Sequence, residues 1–191
     1  GGVNIKDTDV IEVKGAVNPF VSRGGLKLDK AVKCFGLDLA DCICMDIGAS
    51  TGGFTDCMLQ RGAVRVYCVD VGYGQLAWKL RQDERVVNLE RTNVRYITTE
   101  QVPDIVDFVS IDVSFISLKL VFPVASDLLK DTGRLVCLVK PQFEAGREEV
   151  GKKGVVRDIE VHRDVIKKTV EFAFNCGFSV KKTIHKKSFQ N

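Results

Sequence analysis

Five strand-length apolar runs recur along this chain, and the segments between them have the spacing of helices. The runs occupy residues 43–47, 64–69, 86–89, 108–111 and 135–139. They are continuous rather than alternating, which is typical of strands that are covered on both faces. Helices are predicted between them, over 54–61, 75–81 and 118–129. This repeat of strand and helix predicts an α/β fold with a doubly wound, mostly parallel sheet and right-handed crossovers.

Two more helices and a sixth strand are predicted around this core. The helices span 26–35, which ends before Gly36, and 160–176, and the strand spans 178–185. Residues 1–20 have short β character followed by a linker-like stretch. We interpret residues 1–20 as the tail of another domain with its linker, and residues 21–191 as the main domain.

The composition argues against several classes of protein. The chain has 191 residues, enough to bury a hydrophobic core without disulfide bonds, so no disulfide framework is predicted. Its seven cysteines include no C-x-x-C pair, so no metal site is predicted either. No apolar stretch approaches the roughly 20 residues of a membrane span. We therefore expect a protein of the reducing cytoplasm that does not act on membranes. Residues 140–191 carry 12 Lys+Arg against 7 Asp+Glu, a skew that suits a polyanionic partner and an ordinary solvated surface about equally.

A glycine-rich turn, Asp46-Ile-Gly-Ala-Ser-Thr-Gly-Gly-Phe-Thr55, separates the first apolar run from a predicted helix. In a doubly wound sheet such a turn binds a nucleotide-like ligand, because glycines let the backbone approach it closely. Ser50 replaces the middle glycine of a dinucleotide fingerprint, which weakens the alternative of an NAD-dependent oxidoreductase. The carboxylates of Asp46 and Asp70 suit an amine and a ribose diol. S-adenosylmethionine offers both groups and no phosphate, so it is the predicted cofactor.

Two charged residues close neighbouring apolar runs. Asp112 follows the fourth run and Lys140 the fifth, and Pro141 restrains Lys140 to an extended backbone. Because the carboxyl ends of parallel strands meet at one edge of a sheet, we expect these two side chains to face the same crevice.

Five motifs, in order, resemble those of the TlyA family, which is related to FtsJ-type ribose methyltransferases. They are SRGGLKL at 22–28, DIGASTGGFTD at 46–56, VDVGYGQL at 69–76, IDVSFIS at 111–117 and VKPQFEAGR at 139–147. The resemblance implies a Rossmann-like methyltransferase sheet, S-adenosylmethionine as cofactor and a cytidine 2'-hydroxyl of ribosomal RNA as substrate. It also implies a preceding RNA-binding domain, of which residues 1–20 would be the end, and a last strand that we expect residues 21–191 to lack.

The catalytic set of FtsJ-type enzymes is Lys, Asp, Lys and Glu. The resemblance places the first three on Lys27, Asp112 and Lys140, whereas the Glu has no match in this sequence. A ribose hydroxyl is a poor nucleophile at neutral pH, so its proton must be removed as the methyl group arrives. We assign Lys140 as the base, Lys27 as a positioner of hydroxyl or phosphate and Asp112 as their organiser; the two lysine roles are interchangeable at this stage.

The cofactor is expected to lie over the turn, and RNA beside it. The turn residues assigned to the cofactor are Gly48, Ser50, Gly52 and Gly53. Asp46 is predicted to face the methionine amine, Asp70 to take the ribose diol and Asn93 to border the adenine. Basic residues that could contact phosphates are Arg23, Lys79, Arg81, Arg147, Lys152, Lys153 and Arg157. Two alternatives stay open: a non-catalytic RNA-binding protein that kept the fold, and the haemolytic activity that the family's name suggests.

Overall fold

The computed structural model describes residues 18–151 and 154–184, which form a parallel β-sheet with helices on both faces. The strands are β1 Ile43–Ile47, β2 Arg65–Val69, β3 Val86–Leu89, β4 Val106–Ile111 and β5 Leu129–Cys137. Their order across the sheet is β3-β2-β1-β4-β5, and every pairing is parallel. The predicted doubly wound α/β fold is thereby confirmed, and the order reverses between β1 and β4, where sheets of this kind bind ligands.

The described residues contain six α-helices. They are α1 Gly24–Phe35, α2 Gly53–Gln60, α3 Trp78–Arg81, α4 Phe122–Leu128, α5 Pro141–Glu144 and α6 Ile159–Asn175. Strand residues alternate between two cores: Cys44 and Val66 face the side that holds α1 and α2, whereas Met45 and Tyr67 face the side that holds α4 and α6. Because both faces are covered, the strands read as continuous apolar runs in the sequence.

Helix α1 ends as the sequence predicts, and its packing brings it against the glycine turn. Gly36 adopts φ +65° and closes the helix. A Cβ at Gly53, the first residue of α2, would lie 2.3 Å from Ser22 Oγ and 2.8 Å from the Gly25 nitrogen. These residues therefore allow a close approach of α1 to α2 that a larger side chain at Gly53 would prevent.

Several predicted boundaries differ from the structure. The predicted helix over 118–129 is a 3-10 turn, Leu118–Leu120, followed by α4, because Pro123 lacks the N–H that a continuous helix needs and instead occupies the first turn of a new one. The helix over 75–81 shortens to α3, since Ala77 before it has an extended ψ of 139°. The fifth strand begins earlier than predicted and ends at Cys137, three residues before Lys140.

The predicted sixth strand is wrong over residues 178–184. Phe178 closes α6 by donating its N–H to the Ala173 carbonyl, and its ring packs on Phe122 with centroids 5.8 Å apart. Residues 179–184 are exposed and have no ladder partner among the described residues, and a strand needs such a partner. Residue 185, and the predicted tail over residues 1–17, lie outside the described residues.

A search of the described residues finds no helix with the length and apolar character needed to cross a membrane. Within the same residues, no group of three or more His, Cys, Asp or Glu side chains is placed to hold a metal ion.

Candidate active site

The glycine turn and the fourth strand touch at the edge where the strand order reverses. The N–H of Asp112, which follows β4, donates to the Ile47 carbonyl at 3.0 Å. Gly48, which follows Ile47, has φ +85°, and a Cβ there would lie 2.8 Å from the Asp112 carbonyl oxygen. Glycine is therefore required at this position, both for its backbone conformation and for the approach of the turn to Asp112.

The structure brings Lys27, Asp112 and Lys140 together. Lys27 Nζ, from α1, lies 3.1 Å from Asp112 Oδ2, and Lys140 Nζ lies 2.6 Å from Asp112 Oδ1. The carboxylate thus bridges two ammonium groups, one from α1 and one from the segment between β5 and α5. The exposed fractions of the three side chains are 41% for Lys27, 17% for Asp112 and 22% for Lys140, so the group is accessible to a ligand. Their assigned catalytic roles stay predictions.

A fourth side chain joins this group. Lys140 Nζ donates to Ser114 Oγ at 3.0 Å. The Asp112 Oδ1 atom is buried and receives no hydrogen bond of acceptable geometry from the described residues, although the Lys140 ammonium is close to it. Ser114 therefore takes part in orienting Lys140. The sequence did not single out Ser114, and its only signal was its place two residues after Asp112 in the 111–117 motif.

The turn itself is held by Asp70 at the end of β2. Asp70 Oδ2 accepts from the Ser50 N–H at 2.8 Å and Oδ1 accepts from the Gly72 N–H at 2.7 Å. Ser50 has φ +49° and Gly52 has φ +88°. A carboxylate offers about four acceptor positions, so Asp70 keeps roughly two for the hydroxyls of a ribose.

Asp46 lies beneath the turn and is fully buried. Its Oδ2 accepts from the Thr55 N–H at 3.0 Å and from Thr55 Oγ1 at 2.8 Å, and its Oδ1 accepts from Ser110 Oγ at 3.0 Å. Burial raises the pKa of Asp46 to about 6; the hydrogen bonds from Thr55 and Ser110 oppose the rise, and the charge of Asp112 adds to it. The predicted contact with a methionine amine is untested, and the contacts observed for this carboxylate are internal.

Several of the remaining predicted residues have partners within the protein, whereas Lys152 and Lys153 lie outside the described residues. Asn93 follows β3, and its Oδ1 accepts from the Arg95 N–H at 3.1 Å, capping the 3-10 turn Val94–Tyr96. Two of the basic residues predicted to contact phosphates form ion pairs inside the protein: Lys79 with Asp56 at 3.0 Å, and Arg81 with Glu90. Asn93 therefore has a local structural role in addition to its predicted place beside the adenine.

A pair of aromatic rings, of which Phe115 is exposed, lies beside Lys140. Phe115 is 92% exposed and has φ +63°, a backbone conformation that is rare for a bulky residue. Its ring lies 5.0 Å from that of Phe143, and Lys140 Nζ is 6.0 Å from the Phe143 centroid. Pattern analysis misses such a residue because it belongs neither to an apolar run nor to a charged set.

The parallel sheet with its ligand-binding edge places the protein in the Rossmann-like class of α/β folds, and comparison with known proteins gives the family. The FtsJ-like methyltransferase family matches residues 20–190, so the chain belongs to the FtsJ-like methyltransferases. More distant structures that share the fold, at 18% identity or less, include S-adenosylmethionine-dependent methyltransferases.

Nearer relatives narrow the comparison. The chain is 58% identical over 175 residues to YqxC of Bacillus subtilis (strain 168), whose name proposes an rRNA methyltransferase; the match covers 90% of this chain and 61% of YqxC. It is 49% identical over 155 residues to the 16S/23S rRNA (cytidine-2'-O)-methyltransferase TlyA of Mycobacterium tuberculosis (strain ATCC 25618 / H37Rv), covering 81% of this chain and 58% of TlyA. A solved structure of a proposed hemolysin from Streptococcus thermophilus superimposes with a TM-score of 0.85 at 54% identity, covering 88% of this chain and 62% of that one. The chain therefore spans about three fifths of the length of these relatives.

Proposed function

We propose that the chain is the catalytic part of an rRNA (cytidine-2'-O)-methyltransferase that uses S-adenosylmethionine and works in the cytoplasm. One observation carries the proposal: Lys27 and Lys140 flank Asp112, within 3.1 Å, at the edge that holds the glycine turn. Transfer to a hydroxyl needs a group that removes a proton and positive charge that stabilises the developing oxyanion, and this group of side chains offers both. The names of the relatives supply the proposed substrate.

The described residues fit the cofactor. Asp70 has acceptor positions to spare for a ribose diol, and Gly48 and Gly52 leave the turn without side chains that would block an approaching ligand. When bound, S-adenosylmethionine supplies a methyl group on a positively charged sulfur. In this proposal Asp70 holds the ribose, the turn holds the methionine part, and Asn93 borders the adenine.

The lysines act on the substrate. With Lys140 as the base, its neutral amine accepts the proton of the 2'-hydroxyl while the Lys27 ammonium stabilises the charge that develops on that oxygen. Asp112 lies within 3.1 Å of both amino groups and so keeps them close to each other. The exposed Phe115 favours a nucleotide as the substrate. An exposed aromatic ring beside the two lysines and Asp112 can stack on an unpaired base, as aromatic residues commonly do in proteins that recognise single-stranded RNA.

The test is transfer of a labelled methyl group to unmodified rRNA, followed by alkaline hydrolysis, which cannot cleave next to a 2'-O-methylated ribose. We expect Lys140→Met and Asp112→Ala to lower turnover by at least about 100-fold while calorimetry shows little change in S-adenosylmethionine affinity. The matched control is Lys130→Met, since Lys130 also pairs with a carboxylate, Asp107 at 3.1 Å, but lies at the amino end of β5.

Three outcomes would contradict the proposal. Wild-type turnover in Lys140→Met would remove this residue from the site. RNA binding without methyl transfer by the wild-type chain would favour a non-catalytic RNA-binding protein. Binding of NAD in place of S-adenosylmethionine would favour an oxidoreductase.

A further inference from the structure

Two loops that carry the catalytic candidates are fastened to each other at three points. Lys140 Nζ donates to Ser114 Oγ at 3.0 Å, and the rings of Phe143 and Phe115 lie 5.0 Å apart. The Glu144 carboxylate accepts from Ser117 Oγ at 2.6 Å and from the Leu118 N–H at 2.8 Å. The loop after β4 and the segment after β5 therefore meet at these three points, and the Ser114 contact is made by the same Lys140 ammonium that lies beside Asp112.

The backbone of the first loop is strained where it makes this contact. Phe115 has φ +63°, a conformation that is unfavourable for a residue with a bulky side chain. This turn leaves the Phe115 ring exposed while the hydroxyl of its neighbour Ser114 reaches the Lys140 ammonium. Strain of this kind persists only where surrounding contacts hold it, and the bonds of Ser117 and Leu118 to Glu144 hold the far end of the loop.

We propose that Ser114 is a positioning residue that sets the direction of the Lys140 amino group; the proposal rests on the function proposed above. A neutral lysine amine has two N–H bonds and one lone pair. Ser114 Oγ accepts one of these N–H bonds at 3.0 Å, whereas Asp112 Oδ1, 2.6 Å from Nζ, is close without forming a hydrogen bond of acceptable geometry. The hydrogen bond to Ser114 therefore restricts the rotation of the amino group and, with it, the direction of the lone pair.

The proton transfer to Lys140 accompanies the transfer of the methyl group. The 2'-hydroxyl gives its proton to the lone pair of Lys140, which becomes an ammonium, and the 2'-oxygen forms a bond to the methyl carbon. The bond between that carbon and the sulfonium sulfur breaks, and its electron pair stays on sulfur as a neutral thioether. Ser114 exchanges no proton in this step; without its oxygen, the amino group is held by Asp112 alone and rotates more freely.

The first experiment separates turnover from binding. In Ser114→Ala we expect kcat for methyl transfer to fall about 10-fold, because a misdirected base loses part of its contribution, with KM for RNA and affinity for S-adenosylmethionine unchanged. Ser114→Thr keeps the hydroxyl and should retain most of the activity. Ser126→Ala is the matched control: it removes a hydroxyl that donates to the Cys176 carbonyl at 2.8 Å, on the outer side of α4.

The second experiment does not need activity. With 15N-labelled lysine, the Lys140 ammonium signal is identified by its loss in Lys140→Met, and its hydrogen exchange with water is measured. We expect exchange to become several-fold faster in Ser114→Ala and to return to the wild-type rate in Ser114→Thr.

The two experiments distinguish the possible failures. Unchanged kcat in Ser114→Ala, or a lower kcat with unchanged exchange at Lys140, overturns the positioning role. If the wild-type chain transfers no methyl group, the proposed function fails, and the exchange measurement still decides whether Ser114 holds Lys140.

Discussion

Asp46 is a buried carboxylate whose charge should cost the folded protein stability, and replacing it with its amide should remove that cost. In Asp46→Asn the amide oxygen can accept the two hydrogen bonds from Thr55, and the amide nitrogen can donate to Ser110 Oγ. Ser110 can then turn its own proton toward the Met45 carbonyl, 3.5 Å away. We therefore expect the substitution to preserve the fold.

The magnitude follows from the pKa of Asp46, which burial raises from 3.8 to about 6. Because the folded protein binds a proton at this site more tightly than the unfolded chain does, ionisation of Asp46 opposes folding. The penalty is absent below about pH 3.8, grows between pH 3.8 and pH 6, and is complete above that range at about 3 kcal/mol. The asparagine carries no such penalty at any pH.

The assay is urea unfolding followed by circular dichroism from pH 4 to pH 8. The free energy of unfolding of Asp46→Asn, relative to wild type, should increase by roughly 2–3 kcal/mol over that interval. Asp127→Asn, which makes the same change at an exposed carboxylate of α4, is the control. Parallel curves for wild type and Asp46→Asn would refute the argument, because they would mean that burial does not shift the titration of Asp46.

Two further predictions concern the turn above Asp46. Gly48→Ala should lower the free energy of unfolding by about 3 kcal/mol, since its φ is +85° and the new Cβ would lie 2.8 Å from a backbone oxygen. The control is Gly36→Ala, at φ +65° with no atom near the new Cβ, which should lower it by only about 1 kcal/mol. Equal losses for the two variants in urea titrations would contradict the steric argument. If Asp46 faces the cofactor amine, S-adenosylmethionine binding at pH 6 should release about half a proton, because the amine favours the charged carboxylate. Calorimetry in two buffers of different ionisation enthalpy measures this, and zero release would confine Asp46 to its internal contacts.

The sheet could be predicted from the sequence because its strands are buried on both faces. The run at 43–47 coincides with β1, and the two next strands agree within one residue at each end. The error at 178–184 has the opposite cause: apolar spacing describes a strand's faces but not whether another strand lies beside it. Pro123 was a local signal that could have divided the predicted helix at 118–129 correctly.

The site was predictable in outline but not in detail. Asp112 and Lys140 follow neighbouring parallel strands, so topology alone brings them to one edge. Asp46 has the same kind of position in the sequence, at the end of an apolar run. It lies, however, on the face of β1 that packs against α2, where Thr55 donates two hydrogen bonds to its carboxylate. Only the direction of the side chain separates a ligand-facing acid from an internal one. The positive φ of Phe115 likewise depends on tertiary contacts that no local pattern encodes.

Lys27 is the member of the group that the sheet does not place. It belongs to α1, which precedes the first strand, and reaches Asp112 because α1 packs against the start of α2. That packing depends on the absence of a side chain at Gly53, and Gly53 belongs to the same turn that is proposed to hold the cofactor. The glycines of this turn let α1 carry Lys27 to within 3.1 Å of Asp112 on one side, and in the proposed function they also admit the cofactor on the other. A single sequence motif would thus couple the proposed cofactor site to the geometry of the residues that would act on the substrate.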